Sequence, residues 1–171
     1  MLNADVAKLL NEQITKELYS GYLYLDFSNF YDEKGLDGFK NYFYIQAQEE
    51  RDHAMLMLQY LQQNGAHVTL EAIDKPDKEL VNLDDPLKLA LEHEIYVTGT
   101  INNIYDKAYA VKDFRTMQFL DWFVKEQAEE EDNADTLITK FNLFATDGKG
   151  LYSLDAELGA RVYSAPSLVV G

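Results

Sequence analysis

The residues with the strongest chemical potential in this chain are Glu50 and His53, within Gln48-Glu49-Glu50-Arg51-Asp52-His53. Neither Gly nor Pro interrupts the run from Phe39 to Asn64, so its pattern predicts one long helix. On a helix, residues three apart share a face. Tyr42, Phe43, Ala47, Ala54, Leu58 and Leu61 fall near that same face, which makes it the apolar one. A carboxylate and an imidazole turned into a core cost several kcal/mol unless something neutralises them, and a metal ion does so economically. A surface salt bridge or a hydrogen-bonded buried His would give the same two letters at the same spacing.

Further acids recur at matching intervals. Glu17 precedes Glu50 by about 33 residues and His53 by about 36; Glu94 stands in the same relation to Gln127 and Glu130. The turn Lys34-Gly35-Leu36-Asp37-Gly38 separates the first pair of runs, and Lys112-Asp113 separates the second. At a rise of about 1.5 Å per residue, both members of each pair lie roughly 25 Å from their turn and meet at one level. If the hairpins stack, Glu17, Glu50, His53, Glu94 and Glu130 converge with Gln127 midway along a four-helix bundle. Four carboxylates in one core cannot all be ionised without cations. One imidazole among oxygens suits iron or manganese better than structural zinc. The second Glu-x-x-His is degenerate, with Gln127 in place of Glu and Glu130 in place of His, so the second metal position is expected to be the weaker and more labile.

Four long helices must carry these groups. The first, from Asp5 to about Tyr31, places Val6, Leu9, Leu10, Ile14, Leu18, Tyr22, Leu25 and Phe30 at helical spacing, with Asn3 or Asp5 as N-cap. The second ends at Asn64-Gly65 and starts after Asp37, a candidate cap. Ala66 to Asp85 holds Pro76 and reads as an extended crossover of about 20 residues, long enough to set the third helix parallel to the second. Asp84 or Asp85 caps the third helix, whose inner stripe runs through Leu87, Leu91, Ile95, Thr98, Ile101, Ile104 and Tyr105. The fourth spans about Phe114 to Ala145. Asp147-Gly148-Lys149-Gly150 reads as a stop, followed by a short fifth helix from Leu151 to about Val162 and an irregular tail over 163–171. The fold class expected is all-α: one domain over 1–171, a four-helix bundle at about 4–145 with a long crossover between the second and third helices.

Composition narrows the partners. The 171 residues are 47% hydrophobic, enough for one domain with a core. Acidic residues number 30 against 15 basic, a net charge of −15, which disfavours nucleic acid and anionic membrane and favours cations. Cysteine is absent, which excludes disulfides, thiolate zinc and iron–sulfur clusters. No stretch approaches the roughly 20 apolar residues of a membrane span, and the N-terminus lacks a leader pattern, so a cytoplasmic location is expected.

The chain resembles the bacterial non-haem ferritins. The similarity runs through Asn11-Glu12-Gln13, Glu17-Leu18-Tyr19-Ser20, Ala47-Gln48-Glu49-Glu50, His93-Glu94, Trp122-Phe123, Glu126-Gln127, Glu129-Glu130-Glu131 and Gly150-Leu151-Tyr152. What the resemblance implies is a ferroxidase centre with Glu17, Glu50 and His53 at one metal position, Glu50 bridging, and Glu94 and Glu130 at the other with Gln127 beside it. It further implies a third iron position at Glu49, Glu126, Glu129 and Glu130, and a nearby tyrosine and tryptophan at Tyr24 and Trp122. Tyr24 either supplies an electron or hydrogen-bonds a ligand, and for both aromatics a plain core role is an open alternative. Two iron ions per subunit, oxidation by O2 or peroxide, and a homo-oligomeric shell of 24 subunits complete the implied function, the short fifth helix lying at the four-fold axes.

Neighbouring classes fit less well. A bacterioferritin would bind haem through a Met where this chain has Arg51, so no haem is expected, and Met55 and Met57 read as core or interface. A rubrerythrin would need cysteines. A di-iron oxidase without storage role and a metal-free structural bundle are the remaining alternatives. His93 is turned about 100° from Glu94 and reads as surface or interface, and His67 as loop.

Overall fold

The computed structural model describes residues 2–171. Five helices follow in order: α1 Ala4–Glu33, α2 Asp37–Gln63, α3 Asp85–Ala110, α4 Phe114–Phe144 and α5 Gly148–Gly159. The bundle is all-helical with a short C-terminal helix, as the periodicity requires. Lys107 near the end of α3 pairs with Asp5 at the start of α1 at 2.7 Å, so these two helices are antiparallel and α3 runs parallel to α2. The residues between α2 and α3 have no regular secondary structure. Asn11 clamps that crossover from both sides, its Nδ2 donating to the Thr69 carbonyl at 2.9 Å and its Oδ1 accepting from the Thr69 N–H at 2.8 Å. The amide thereby satisfies a backbone pair that has no strand partner.

Apolar side chains form two cores. One gathers Leu10, Ile14, Met57, Ile101 and Phe123. The other gathers Tyr24, Phe27, Tyr31, Phe43, Leu87 and Leu137. Buried Gln13, Glu17, Glu50, His53, Glu94, Gln127 and Glu130 belong to neither cluster and make up the polar interior of the bundle. Three of the expected inward positions on α1 and α3 are exposed: Tyr22 is 51% exposed, Leu25 41% and Ile95 53%. The apolar stripes of α1 and α3 are wider than a single bundle can cover.

The caps differ from their sequence reading in three places. Asn3 caps α1, accepting from the N–H groups of Asp5 and Val6. Asp37 does not cap α2. That role falls to Asp155 of α5, whose Oδ1 accepts from Gly38 N–H at 2.8 Å and Phe39 N–H at 3.0 Å. The approach is so close that a Cβ at Gly38 would sit 1.7 Å from the Asp155 carbonyl oxygen. Neither Asp84 nor Asp85 caps α3 through its side chain: Asp84 pairs with Lys88, while Asp85 accepts from Val81 and Asn82 N–H and fixes the end of the crossover. Asp147 is a start signal rather than a stop, accepting from Gly150 N–H at 2.7 Å, so α5 begins at Gly148 and ends before Val162.

Because Asp155 satisfies two orphan donors of α2 at once, Asp155→Ala is expected to destabilise the subunit by about 1–2 kcal/mol and loosen α5. Urea denaturation with hydrogen exchange on residues 148–159 checks this; unchanged exchange there would show that apolar packing alone docks the helix.

Candidate metal centre

Glu17 of α1 and Glu50 and His53 of α2 come together in the bundle interior, each presenting a ligand-type atom, and these atoms lie within 4.8 Å of one another. Their exposure is 1%, 1% and 2%. The two helices close tightly here because residue 21 is glycine: a Cβ there would stand 3.1 Å from the Ala47 carbonyl oxygen and 3.6 Å from Glu50 Cβ. Glu50 Oε2 lies 3.5 Å from His53 Nδ1. Glu17 Oε2, Glu50 Oε1 and His53 Nδ1 have no hydrogen-bond partner, although each is buried. Unpartnered buried polar atoms of this kind cost about 1–3 kcal/mol each. Three of them converging is the pattern of a cation site.

Glu94 and Glu130 approach from α3 and α4. Tyr24 donates its hydroxyl to Glu94 Oε1. Gln127 Nε2 donates to Glu94 Oε2 at 3.1 Å, so the amide that replaces a carboxylate holds its neighbour in place. Glu130 Oε2 accepts from Gln46 Nε2 at 2.9 Å. All of these side chains are buried. Glu94 and Glu130 lie outside the close cluster of Glu17, Glu50 and His53, but their charges act on it. Glu50 is held well above the usual carboxylate range, first by burial and then by the charges of Glu94, Glu17 and Glu130. Glu94 is pushed up to about 8 by burial and by Glu130, against the hydrogen bonds from Tyr24 and Gln127. Burial, Glu94 and Glu50 raise the Tyr24 phenol well above its ordinary value, so it stays a donor.

The expected outer carboxylates are placed differently from one another. Glu49 is half-buried and paired with Arg161 at 2.6 Å; burial above all raises its carboxyl to about 7 despite the guanidinium. Glu126 is half-buried and also raised, mainly by desolvation and then by Glu130 and Glu129, against His53. Glu129 is exposed and belongs to no close cluster among the described residues. Trp122 sets its ring edge-on to His53, 5.5 Å between centroids, and donates Nε1–H to Ser167 Oγ at 2.9 Å.

His93 is no ligand of the cluster and is half-buried. It packs among Tyr19, Tyr24 and Tyr96, and its Nε2 is 2.7 Å from Ser20 Oγ. Burial lowers its pKa to about 4, so the ring is neutral, and it stands outside the ligand cluster. Sequence reasoning missed Gln13, which donates to Glu17 Oε1 at 2.9 Å, and Gln46. Each lies one helical turn before a site carboxylate on the same face, a spacing that carries the signal. Arg161 has no comparable signal.

A helical bundle that buries carboxylates from four helices around one imidazole defines the carboxylate-bridged metal bundles as a class. The family described as Ferritin-like domain matches residues 7–144. The chain belongs to the ferritin family. A bacterial non-heme ferritin of Campylobacter jejuni is 39% identical over 155 residues, covering 91% of this chain and 93% of that protein. A probable bacterial non-heme ferritin-like protein of Haemophilus influenzae is 36% identical over 159 residues, covering 93% and 96%. Among solved structures, an open pore ferritin from the hyperthermophilic archaeon Archaeoglobus fulgidus superposes with a TM-score of 0.92 at 38% identity, covering 95% of this chain and 100% of that one. No helix among the described residues is long and apolar enough to cross a membrane.

Proposed function

We propose that this chain is an iron-storage subunit that oxidises Fe(II) inside its own bundle and passes Fe(III) to the cavity of a shell of like subunits. The observation that supports this most is the trio of unpartnered buried ligand atoms on Glu17, Glu50 and His53. One Fe(II) binds there. A second binds between Glu50, Glu94 and Glu130, with Gln127 steadying Glu94. Two metals about 3.5 to 4 Å apart share a bridging carboxylate and give up one electron each. Those two electrons and two protons convert O2 to hydrogen peroxide, or peroxide to two waters. Burial pushes the Glu50 and Glu94 carboxyls upward, so an entering ion competes with protons there. Tyr24 keeps Glu94 oriented by its hydroxyl.

Fe(III) then moves inward past Glu49, Glu126, Glu129 and Glu130. The open apolar side chains Tyr22, Leu25 and Ile95 suit contacts between subunits. A shell of 24 copies of a 19.6 kDa chain has a mass of about half a megadalton. Size-exclusion chromatography should show a particle near that mass. Aerobic addition of Fe(II) should produce amber ferric absorbance that co-elutes with it. A monomer or small oligomer that oxidises Fe(II) without retaining it would point instead to an oxidase without storage role.

A further inference from the structure

Arg161 lies just past the C-terminal end of α5 and reaches back onto α2. Its Nη2 stands 2.6 Å from Glu49 Oε2 and also donates to Gln46 Oε1. Its guanidinium sits 4.5 Å from the Tyr42 ring centroid, and its own carbonyl accepts from Asn41 Nδ2 at 3.0 Å. Gln46 in turn donates to Glu130 Oε2 at 2.9 Å. A continuous run of hydrogen bonds therefore links the second residue after α5 to Glu130, a carboxylate of the proposed metal centre. The chain beyond Arg161 follows the same face. Tyr163 donates to Asp52, Ser167 accepts from Trp122, and Gln63 Nε2 donates to the Val170 carbonyl at 3.1 Å. Leu168 and Val170 pack against the core cluster that contains Met57 and Phe119.

We propose that Arg161 is a resident cation at the inner side of the centre, one that a metal ion leaving toward Glu49 and Glu126 must displace, releasing the tail as it does so. This rests on the iron-oxidising reading above. A guanidinium and a metal ion carry the same sign and compete for Glu49, whose Oε2 the arginine already holds, so occupancy by one disfavours the other. Glu49 faces Glu130 and His53 as well as Arg161, and Glu126 faces His53, Glu130, Glu129 and Lys125. With Arg161 in place, the inner carboxylates are partly neutralised and Glu130 is held by Gln46, which keeps the inward position closed until the centre fills. An ion that binds only after Arg161 leaves has its apparent affinity reduced by the fraction of time the arginine is away. The coupling is reciprocal: what the tail takes from the ion, the ion takes from the tail.

The test uses the assembled, metal-free protein and Zn²⁺, which binds without oxidation. Calorimetric titration of the wild type should show a tight step at Glu17, Glu50 and His53, a weaker second step, and a third, weakest one. In Arg161→Ala the third step should tighten about tenfold while the first stays within twofold. Arg161→Lys keeps the charge but not the planar guanidinium, whose Nη2 reaches both Gln46 and Glu49 while its face lies over Tyr42, and should fall between. Hydrogen exchange of residues 162–171 should quicken on zinc saturation of the wild type and be fast without zinc in Arg161→Ala. A purely structural arginine would weaken metal binding when removed, not strengthen it. A third step unchanged or weakened in Arg161→Ala, or tail exchange indifferent to zinc, overturns the proposal. If the wild type lacks the first two steps altogether, the iron-oxidising reading falls, and this one with it.

Discussion

Glu50→Ala combined with His53→Ala slows aerobic Fe(II) oxidation about 100-fold or more, down to the rate seen without an organised site. In the proposed centre Glu50 is the group both metal positions share, and His53 is the one imidazole clustered with Glu17 and Glu50. Removing both leaves Glu17 alone at the first position, so two ferrous ions are no longer held side by side. Positioning of two reactants supplies several kcal/mol of a barrier, and each 1.36 kcal/mol is tenfold in rate. The double variant does not unfold for want of these groups. It deletes two of the orphan polar atoms, Glu50 Oε1 and His53 Nδ1, which offsets the cavity it leaves. Stopped-flow ferric absorbance on particles of wild-type size gives the comparison. A rate within threefold of wild type would place the oxidation elsewhere. Tyr24→Phe, which frees one oxygen of Glu94 but removes no ligand, should cost no more than about tenfold.

What the sequence disclosed and what it hid divide by range. The burial of Glu17, Glu50, His53, Glu94 and Glu130 inside the bundle is legible because helix geometry sets their facing and their height. Gln13 and Gln46 obey the same spacing, yet a glutamine beside charged ligands reads as filler until its amide is seen donating to Glu17 and Glu130. Asp155 and Arg161 are hidden for another reason. Their partners Gly38, Gln46 and Glu49 lie more than a hundred residues away in the chain, so no local pattern carries them. The exposed Tyr22 and Ile95 show the limit of periodicity. It finds the apolar stripe of a helix but not which part of that stripe its own bundle covers.

The thermal midpoint of the metal-free protein should fall as pH rises from 5 to 8, and Zn²⁺ should reverse that trend. The sign follows from the carboxyls. Glu94 sits at about 8 and Glu49 at about 7 against an ordinary value of 4.5, and Glu50 and Glu126 are raised as well. Between the ordinary value and the raised one, the folded chain holds more protons than the unfolded chain. Raising pH through that window therefore favours unfolding, by at most about 1.4 kcal/mol per pH unit for each such group. Above the raised values the loss is complete and the curve flattens. Asp5 and Asp85 are shifted the other way, toward lower values, and act below pH 4, while His93, lowered to about 4, opposes the trend only up to about pH 6.5 and is outweighed by the four raised carboxyls. A bound divalent ion replaces the protons at Glu50 and Glu94, and its binding strengthens as they are released. The zinc-loaded protein is thus held most firmly near pH 8, where the metal-free one is weakest. Saturation at 100 times the dissociation constant adds about 2.7 kcal/mol per site. Glu94→Gln should flatten the metal-free slope and shrink the zinc effect together, because one carboxyl causes both. A metal-free midpoint that is level or rising between pH 5 and 8 would mean that these carboxyls are already ionised and solvated in the folded chain. The burial of charge that calls for a metal would then be absent.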